Sequence, residues 1–310
     1  MAEIPAPISH TVDAIYAWHE SRRNAFEGGG ISISELGHEC HRYLWYKFRW
    51  AFSEPPKQGR MLRLFETGDR EEARMLEELR AIGCGVSGEQ ERVTACQGHV
   101  RGKIDAKVVG IPEAPVTQHV VETKTHKAES WRAVVKHGVQ KSKPAHYVQM
   151  QIYMHLLDLP RALYMAHNKD TDELHIQRIE HDAVFCMQLL AGAERIIAAH
   201  VPPPKLHEDP EKKAAFHCTY CPARDVCHEG AMPRRNCRTC LHSSTIENGW
   251  ICEFDGQNRE LSRAEQKAGC PEHRLLPGLV PGTQVDADPV ERTITYEMAD
   301  GSEWVDGGGA

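Results

Sequence analysis

Hydrophobic spacing divides the chain into helical and extended stretches. Residues 11 to 24 read as a polar helix, and "SELGHECHRYLWYKFRWAF", from Ser34, joins a helix-starting serine to a dense run of aromatics. "MLRLFETGDREEARMLEELRAIG", residues 61–83, sets Leu64, Phe65, Gly68, Met75, Leu76 and Leu79 on one helical stripe closed by Gly83. Glu72 lies on that stripe, whereas its neighbour Glu71 is expected to face away. A carboxylate on an apolar face needs a partner, because desolvating it alone is costly.

The period then changes to two. "EQERVTAC", "HVRGKIDAKVVG" and "TQHVVETKTH" read as strands, and in the second Val100, Gly102, Ile104, Ala106 and Val108 alternate with Arg101, Lys103, Asp105 and Lys107. Two helices are predicted next, "ESWRAVVKHGV" and, after Pro144, "AHYVQMQIYMHLL". "RALYMAHNK" and "DELHIQRIEH" form a strand pair around residues 170–172, followed by a helix over 182–200. "VPPPKLHEDP" marks a stiff boundary, beyond which the chain is cysteine-rich. A small hairpin is expected around Asp300 and Gly301 in "RTITYEMADGSEWV". Helices on both sides of the strands in sequence predict an α/β fold, a central mixed β-sheet flanked by helices.

Composition narrows the class. The 310 residues are 41% hydrophobic and 26% charged, ordinary for a soluble globular protein. The first twenty residues lack the basic-then-apolar pattern of a signal peptide, and no apolar run approaches the roughly 18 residues of a membrane span. A cytoplasmic protein without membrane contact is expected. A net charge of −7 argues against a general polyanion-coating protein, yet residues 124–143 carry six Lys or Arg against one Glu. Such a run either holds phosphates or forms a solvated helix face. Seven of the eleven cysteines, from Cys218 to Cys270, fall within 53 residues, a clustering that suggests metal where disulfides are disfavoured.

Candidate chemistry gathers at "HVVETKTH". Alternation puts Glu122 and Lys124 on one face of a strand, with Thr123 opposite. Antiparallel pairing with the preceding strand would bring Asp105 beside Glu122. Two adjacent carboxylates repel, and a hard divalent cation, Mg²⁺ or Mn²⁺, relieves this. Glu72 could complete the oxygen set, and Lys124 could orient or help deprotonate a metal-bound water for attack on a phosphodiester. An isolated surface ion pair is the bland alternative, worth only about 0–1 kcal/mol.

"GKIDAKV", then "HVVETKTH" with seventeen residues from Asp105 to Glu122, then a helix with Gln149 and Tyr153, resembles the PD-(D/E)XK nuclease superfamily, and within it the RecB-like exonuclease branch. Gly68 and Glu72 match that branch's early-helix motif, and Gln149 and Tyr153 its Gln-x-x-x-Tyr. The resemblance implies a restriction-endonuclease-like core with Glu72, Asp105, Glu122 and the Thr123 carbonyl as metal ligands and Lys124 catalytic. Gln149 and Tyr153 would support the site or contact DNA. Ile104 stands where the family name has proline, and Glu72 stands where many relatives have histidine.

The cysteines form two sets. Cys218, Cys221 and Cys227 make a C-x2-C-x5-C triplet without a fourth ligand. The same nuclease branch pairs such a triplet with one upstream cysteine, here Cys40, around a [4Fe–4S] cluster. Such a cluster would staple a loop of nearly 180 residues, although spacing alone equally admits zinc. Cys237, Cys240, Cys252 and Cys270 look like a four-cysteine Zn²⁺ module, with His242 and His273 as substitute ligands and a second iron–sulfur cluster as the alternative. Cys84, Cys96 and Cys186 read as buried or half-buried thiols. His126 shares the face of Glu122 but is expected to have a plain surface role. Tyr43, Trp45, Tyr46, Phe48 and Trp50 read as packing around Cys40 rather than as stacking platforms for bases.

The expected organisation is an N-terminal helix over 1–30, a nuclease domain over 31–230, a four-cysteine module over 231–281 and a tail over 282–310. The expected activity is metal-dependent exonucleolytic cleavage of DNA, at single strands or duplex ends, in phage or prophage recombination and end processing. A recombination protein or further copies of the chain would be its partners. A CRISPR-associated exonuclease of spacer acquisition, and a non-catalytic iron–sulfur DNA-binding protein, are the competing readings.

Overall fold

A computed structural model describes residues 9–22, 29–256 and 258–307. Residues 23–24 of the first expected helix and the end of the expected tail, 308–310, lie outside them. That helix is α1 (His10–Ser21); after a two-residue strand β1 (Ile31–Ser32), the aromatic run forms α2 (His41–Phe48) and the amphipathic stretch forms α3 (Gly59–Ala81). Helix α2 starts later than Ser34 predicts. Ser34 lies in a 3₁₀ turn, and Cys40 caps the helix, its sulfur accepting the Tyr43 N–H at 3.4 Å.

Strands β2 (Gly85–Ser87), β3 (Arg92–Ala95), β4 (Val100–Lys103), β5 (Ala106–Val109) and β6 (His119–His126) follow. Helices α4 (Ala128–Ser142) and α5 (Pro144–Leu156) then lead to β7 (Arg161–Asn168), β8 (Leu174–Glu180) and α6 (Ala183–Ala198). The central sheet has the order β2-β5-β6-β7-β8. Its one parallel pair, β6 with β7, is joined by α4 and α5, since parallel neighbours need a long crossover; every other pair is antiparallel. Gly138 kinks α4 at φ +74°, a conformation that favours glycine.

Each face of the sheet is covered. On one, Met75, Leu76 and Leu79 of α3 pack with Ala106, Val108, Val121, Leu163 and Met165. On the other, Val120, Tyr164 and Ala166 meet α5 and α6 through Met150, Met154 and Ile196. Strand β6 is therefore buried on both faces, which accounts for its leading valines.

Three expectations change. The segment 99–110 is not one strand: β4 pairs with β3 and β1 in a separate small sheet, and β5 joins the central one. Between them Ile104 N–H donates to the Glu91 carbonyl (3.1 Å) and Gln90 N–H to the Asp105 carbonyl (3.3 Å), so the chain changes sheet at Asp105. The α3 stripe is buried only in its C-terminal half, because the sheet ends beneath it; Leu64 and Phe65 are 50% and 43% exposed. Glu71 does not face away from the protein either. It reaches the buried His167 of β7, Oε2 to Nδ1 at 3.4 Å.

Residues 231–307 build two further three-stranded sheets, β9 (Ser243–Ile246), β10 (Gly249–Cys252) and β11 (Arg259–Glu260), then β12 (Gly282–Asp288), β13 (Thr293–Met298) and β14 (Glu303–Asp306). The turn at Gly301 closes β13 onto β14, with the Gly301 N–H donating to the Met298 carbonyl. Cys237, Trp250, Leu261 and Leu276 belong to the same core as α2 and α5. The buried Arg238 guanidinium donates to the carbonyls of Phe48 and Gly29 and lies 3.8 Å from the Trp50 ring centroid.

A Cβ at Gly102 of β4 would lie 2.8 Å from the hydroxyl oxygen of Tyr153 on α5. Gly102→Ala is therefore expected to destabilise the protein by about 1–3 kcal/mol through overpacking. Urea unfolding checks this, and an unchanged midpoint would contradict the close approach.

Candidate active site

Pairing of β5 with β6 matches Ala106 to Val121, which carries the preceding residue, Asp105, alongside Glu122 and Thr123. The Asp105 carboxylate accepts two hydrogen bonds through Oδ2, from the Thr123 N–H (2.7 Å) and the Thr123 hydroxyl (2.9 Å). Thr123 is thus a clamp on Asp105. Its carbonyl accepts from the Lys124 ammonium at 3.1 Å.

Glu122 has no solvent exposure. Its Oε1 forms an ion pair with Lys124, and its Oε2 accepts from Gln149 Nε2 at 3.1 Å. Gln149 in turn lies 3.4 Å from the Tyr153 hydroxyl, one turn further along α5. Burial, more than Lys124 can offset, pushes the Glu122 carboxyl up to about 7, with Asp105 and Glu72 adding repulsion. Burial and then Asp105 push Glu72 up to about 7 as well, although Gln90 Nε2 donates to it at 2.8 Å. Despite the burial that opposes it, Lys124 is held well above the ordinary lysine range by Glu122 and Asp105.

The structure therefore brings together Glu72, Asp105, Glu122, Thr123, Lys124, Gln149 and Tyr153. Three carboxyls that repel one another, beside a carbonyl that accepts from an ammonium, offer oxygen ligands of the kind a hard divalent cation takes, although the carboxylate oxygens do not all lie within 4.8 Å of one another. A cleft of about 450 Å³ opens on this group, lined by Glu72, Thr123 and Lys124, by the exposed Leu64 and Phe65, and by Lys127 and Lys169. Of the basic run 124–143, Lys124 and Lys127 reach it.

Two supports escaped the sequence reading. Gln90, in a tight turn at φ +54°, has no periodic signal, and only the fold brings it to Glu72. Tyr164, on β7, has its hydroxyl 2.8 Å from both His126 Nε2 and His146 Nδ1. His126 is consequently a buried residue, not a surface one. Burial drives His126 down to about 4 and His146 down to about 3, so both rings are neutral behind the site.

Within each expected cysteine set the thiols raise one another electrostatically, but among the described residues neither set brings three sulfurs within 4.8 Å of one another. Burial and then the Cys40 thiol push up Cys218, and Cys221 is pushed up by burial and by Cys40, Cys227 and Cys218. Burial raises Cys227 too, against the opposing charge of Arg42, which hydrogen-bonds it. In the second group, burial followed by Cys240, Cys270 and Cys252 holds Cys237 at about 11. These four line a cavity of about 230 Å³ with His242 and His273. His273 Nε2 is tied to the Asn236 carbonyl (3.0 Å), while its buried Nδ1 has no hydrogen-bond partner.

The family model of the PD-(D/E)XK nuclease superfamily matches residues 33–228. No curated protein matches the chain. Among solved structures, the protein SSO0001 is 15% identical with a TM-score of 0.42, covering 71% of this chain and 96% of its own. LHK-Exo, an alkaline exonuclease from Laribacter hongkongensis solved with dAMP, is 14% identical at a TM-score of 0.41, covering 59% of this chain and 90% of its own. A phage-related exonuclease from Haemophilus somnus 129PT is 14% identical at 0.38, covering 57% and 95%.

Because Glu122 and Glu72 are raised from 4.5 to about 7, the folded state binds more protons than the unfolded state between those values. Metal-free stability should be greatest below about pH 4.5 as far as these two groups contribute, and fall as pH rises towards 7. Glu122→Gln should remove on the order of 2 kcal/mol of that fall. Saturating Mn²⁺ should also flatten it. Denaturation at several pH values with and without Mn²⁺ checks both; an unchanged slope in the variant would contradict the assignment.

Proposed function

Since this chain belongs to the PD-(D/E)XK nuclease superfamily, we propose that it is a divalent-metal-dependent DNA exonuclease. The observation that carries the reading is the fully buried Glu122, fixed by Lys124 and Gln149 beside the Thr123-clamped Asp105, next to a cleft that Glu72, Thr123 and Lys124 line. Glu72, Asp105, Glu122 and the Thr123 carbonyl would hold Mg²⁺ or Mn²⁺. When bound, such an ion supplies Lewis-acid activation of water and of the scissile phosphate.

The chain's own groups do the rest. Lys124 orients the nucleophilic water and offsets charge on the phosphate. Gln149 holds the free oxygen of Glu122, and Tyr153 holds Gln149, so both position the carboxylate. Lys127 and Lys169 at the cleft attract the phosphate backbone, and the exposed Leu64 and Phe65 offer apolar surface to an unstacked terminal base. This last feature supports action at strand ends; recombination and end processing of phage or prophage DNA is the setting proposed for it.

Cys40, Cys218, Cys221 and Cys227 are proposed to hold a [4Fe–4S] cluster, with Arg42 offsetting thiolate charge at Cys227. Cys237, Cys240, Cys252 and Cys270 are proposed to hold zinc, since all four line one cavity and tetrathiolate sets suit that ion. The unpartnered His273 Nδ1 is a reserve ligand.

Lys124→Ala should lose about 10²-fold or more of Mn²⁺-dependent DNA cleavage while circular dichroism shows that the variant is still folded. Retained cleavage would sink the assignment of Lys124. Anaerobically purified protein should contain about four irons per chain, and Cys221→Ser should lose them. Zinc in place of iron at that set would overturn the cluster.

A further inference from the structure

Away from the cleft and from both cysteine sets, three metal-ligating side chains meet at one edge of the central sheet. His155 ends α5, His181 directly follows β8, and Cys186 lies in the first turn of α6. Their ligand atoms all lie within 4.8 Å of one another, and His155 Nδ1 is 3.3 Å from His181 Nε2. Two nitrogens each 2.0–2.1 Å from a tetrahedral zinc ion are about 3.3 Å apart.

The three segments are held in place independently of any ion. Gln151, fully buried one turn before His155, donates through Nε2 to the Glu180 carbonyl (2.7 Å) and accepts the Asp182 N–H through Oε1 (2.8 Å). Its own backbone carbonyl accepts the Cys186 thiol at 3.2 Å. One side chain and its peptide thus fix all three ligand-bearing strands of chain. Cys186 is buried, whereas both histidines are partly exposed, which leaves a path for an ion and a solvent position for a fourth ligand.

We propose that His155, His181 and Cys186 form a zinc site that fastens the end of α5 to the start of α6. Imidazole and thiolate together favour zinc over the hard cations of the cleft. On binding, the zinc–sulfur bond forms as the Cys186 S–H bond breaks, and the proton leaves to water. The same helix carries Gln149 and Tyr153, so the ion secures the element that positions Glu122. The site is independent of the nuclease reading and stands if that reading fails.

The test is zinc stoichiometry of the full chain, measured after saturation with ZnCl₂ and removal of loosely bound metal. Cys186→Ser and His181→Asn should each bind one zinc fewer per chain than wild type, and zinc should raise the thermal midpoint less in both. His155→Asn, at a partly exposed position, gives the same reading should the buried Cys186 variant fold poorly. Wild-type stoichiometry in the histidine variants would overturn the site and leave the two rings as a simple hydrogen-bonded pair.

Discussion

A carboxylate with no exposure to water is the constraint around which this molecule is arranged. Glu122 sits on a strand buried on both faces, and its charge is opposed by burial and by two neighbouring acids. Leaving such a group unpaired would cost several kcal/mol, and Lys124 and Gln149 only partly relieve it. The fold tolerates this unfavourable centre because the surrounding elements fix it: the parallel β6–β7 pair, the crossover helices that bring Gln149, and the Thr123 clamp on Asp105. Energy withheld from metal-free stability becomes available for binding a cation.

The small sheets serve that centre indirectly. Because the chain leaves one sheet at Lys103 and enters another at Ala106, Asp105 lies at the junction rather than within a ladder. Its carboxylate is thereby free to turn towards β6. The cysteine-rich end is fastened to the opposite side of the core, through Arg238 among Phe48, Trp50 and Trp250 and through Arg49 donating to the Ala199 and Arg238 carbonyls. Cation–ring contacts and carbonyl bonds offset much of the cost of two buried guanidiniums, although the Arg49 Nε has no hydrogen-bond partner.

Much of this was legible from periodicity. Alternation in 99–110 and the valines ahead of Glu122 put the right residues in extended chain, and the 3.6 period delimited α3 and α5 closely. Periodicity does not record where a strand changes sheet, so the break at Ile104 and Asp105 was invisible. Nor does it record how far a sheet extends beneath a helix, which is why Leu64 and Phe65 looked buried. Glu71 and His126 were misread for a related reason: each is partnered from a distant strand, by His167 and by Tyr164. The His155, His181 and Cys186 group left no motif, since its members come from three elements with unrelated spacings.

Mn²⁺ binding to the metal-free protein, followed by calorimetry, tests the central claim most directly. A carboxylate centre built for a divalent ion predicts saturable binding in wild type that weakens about 10-fold or more in Asp105→Asn and in Glu122→Gln. Equal Mn²⁺ affinity in wild type and both variants would contradict it.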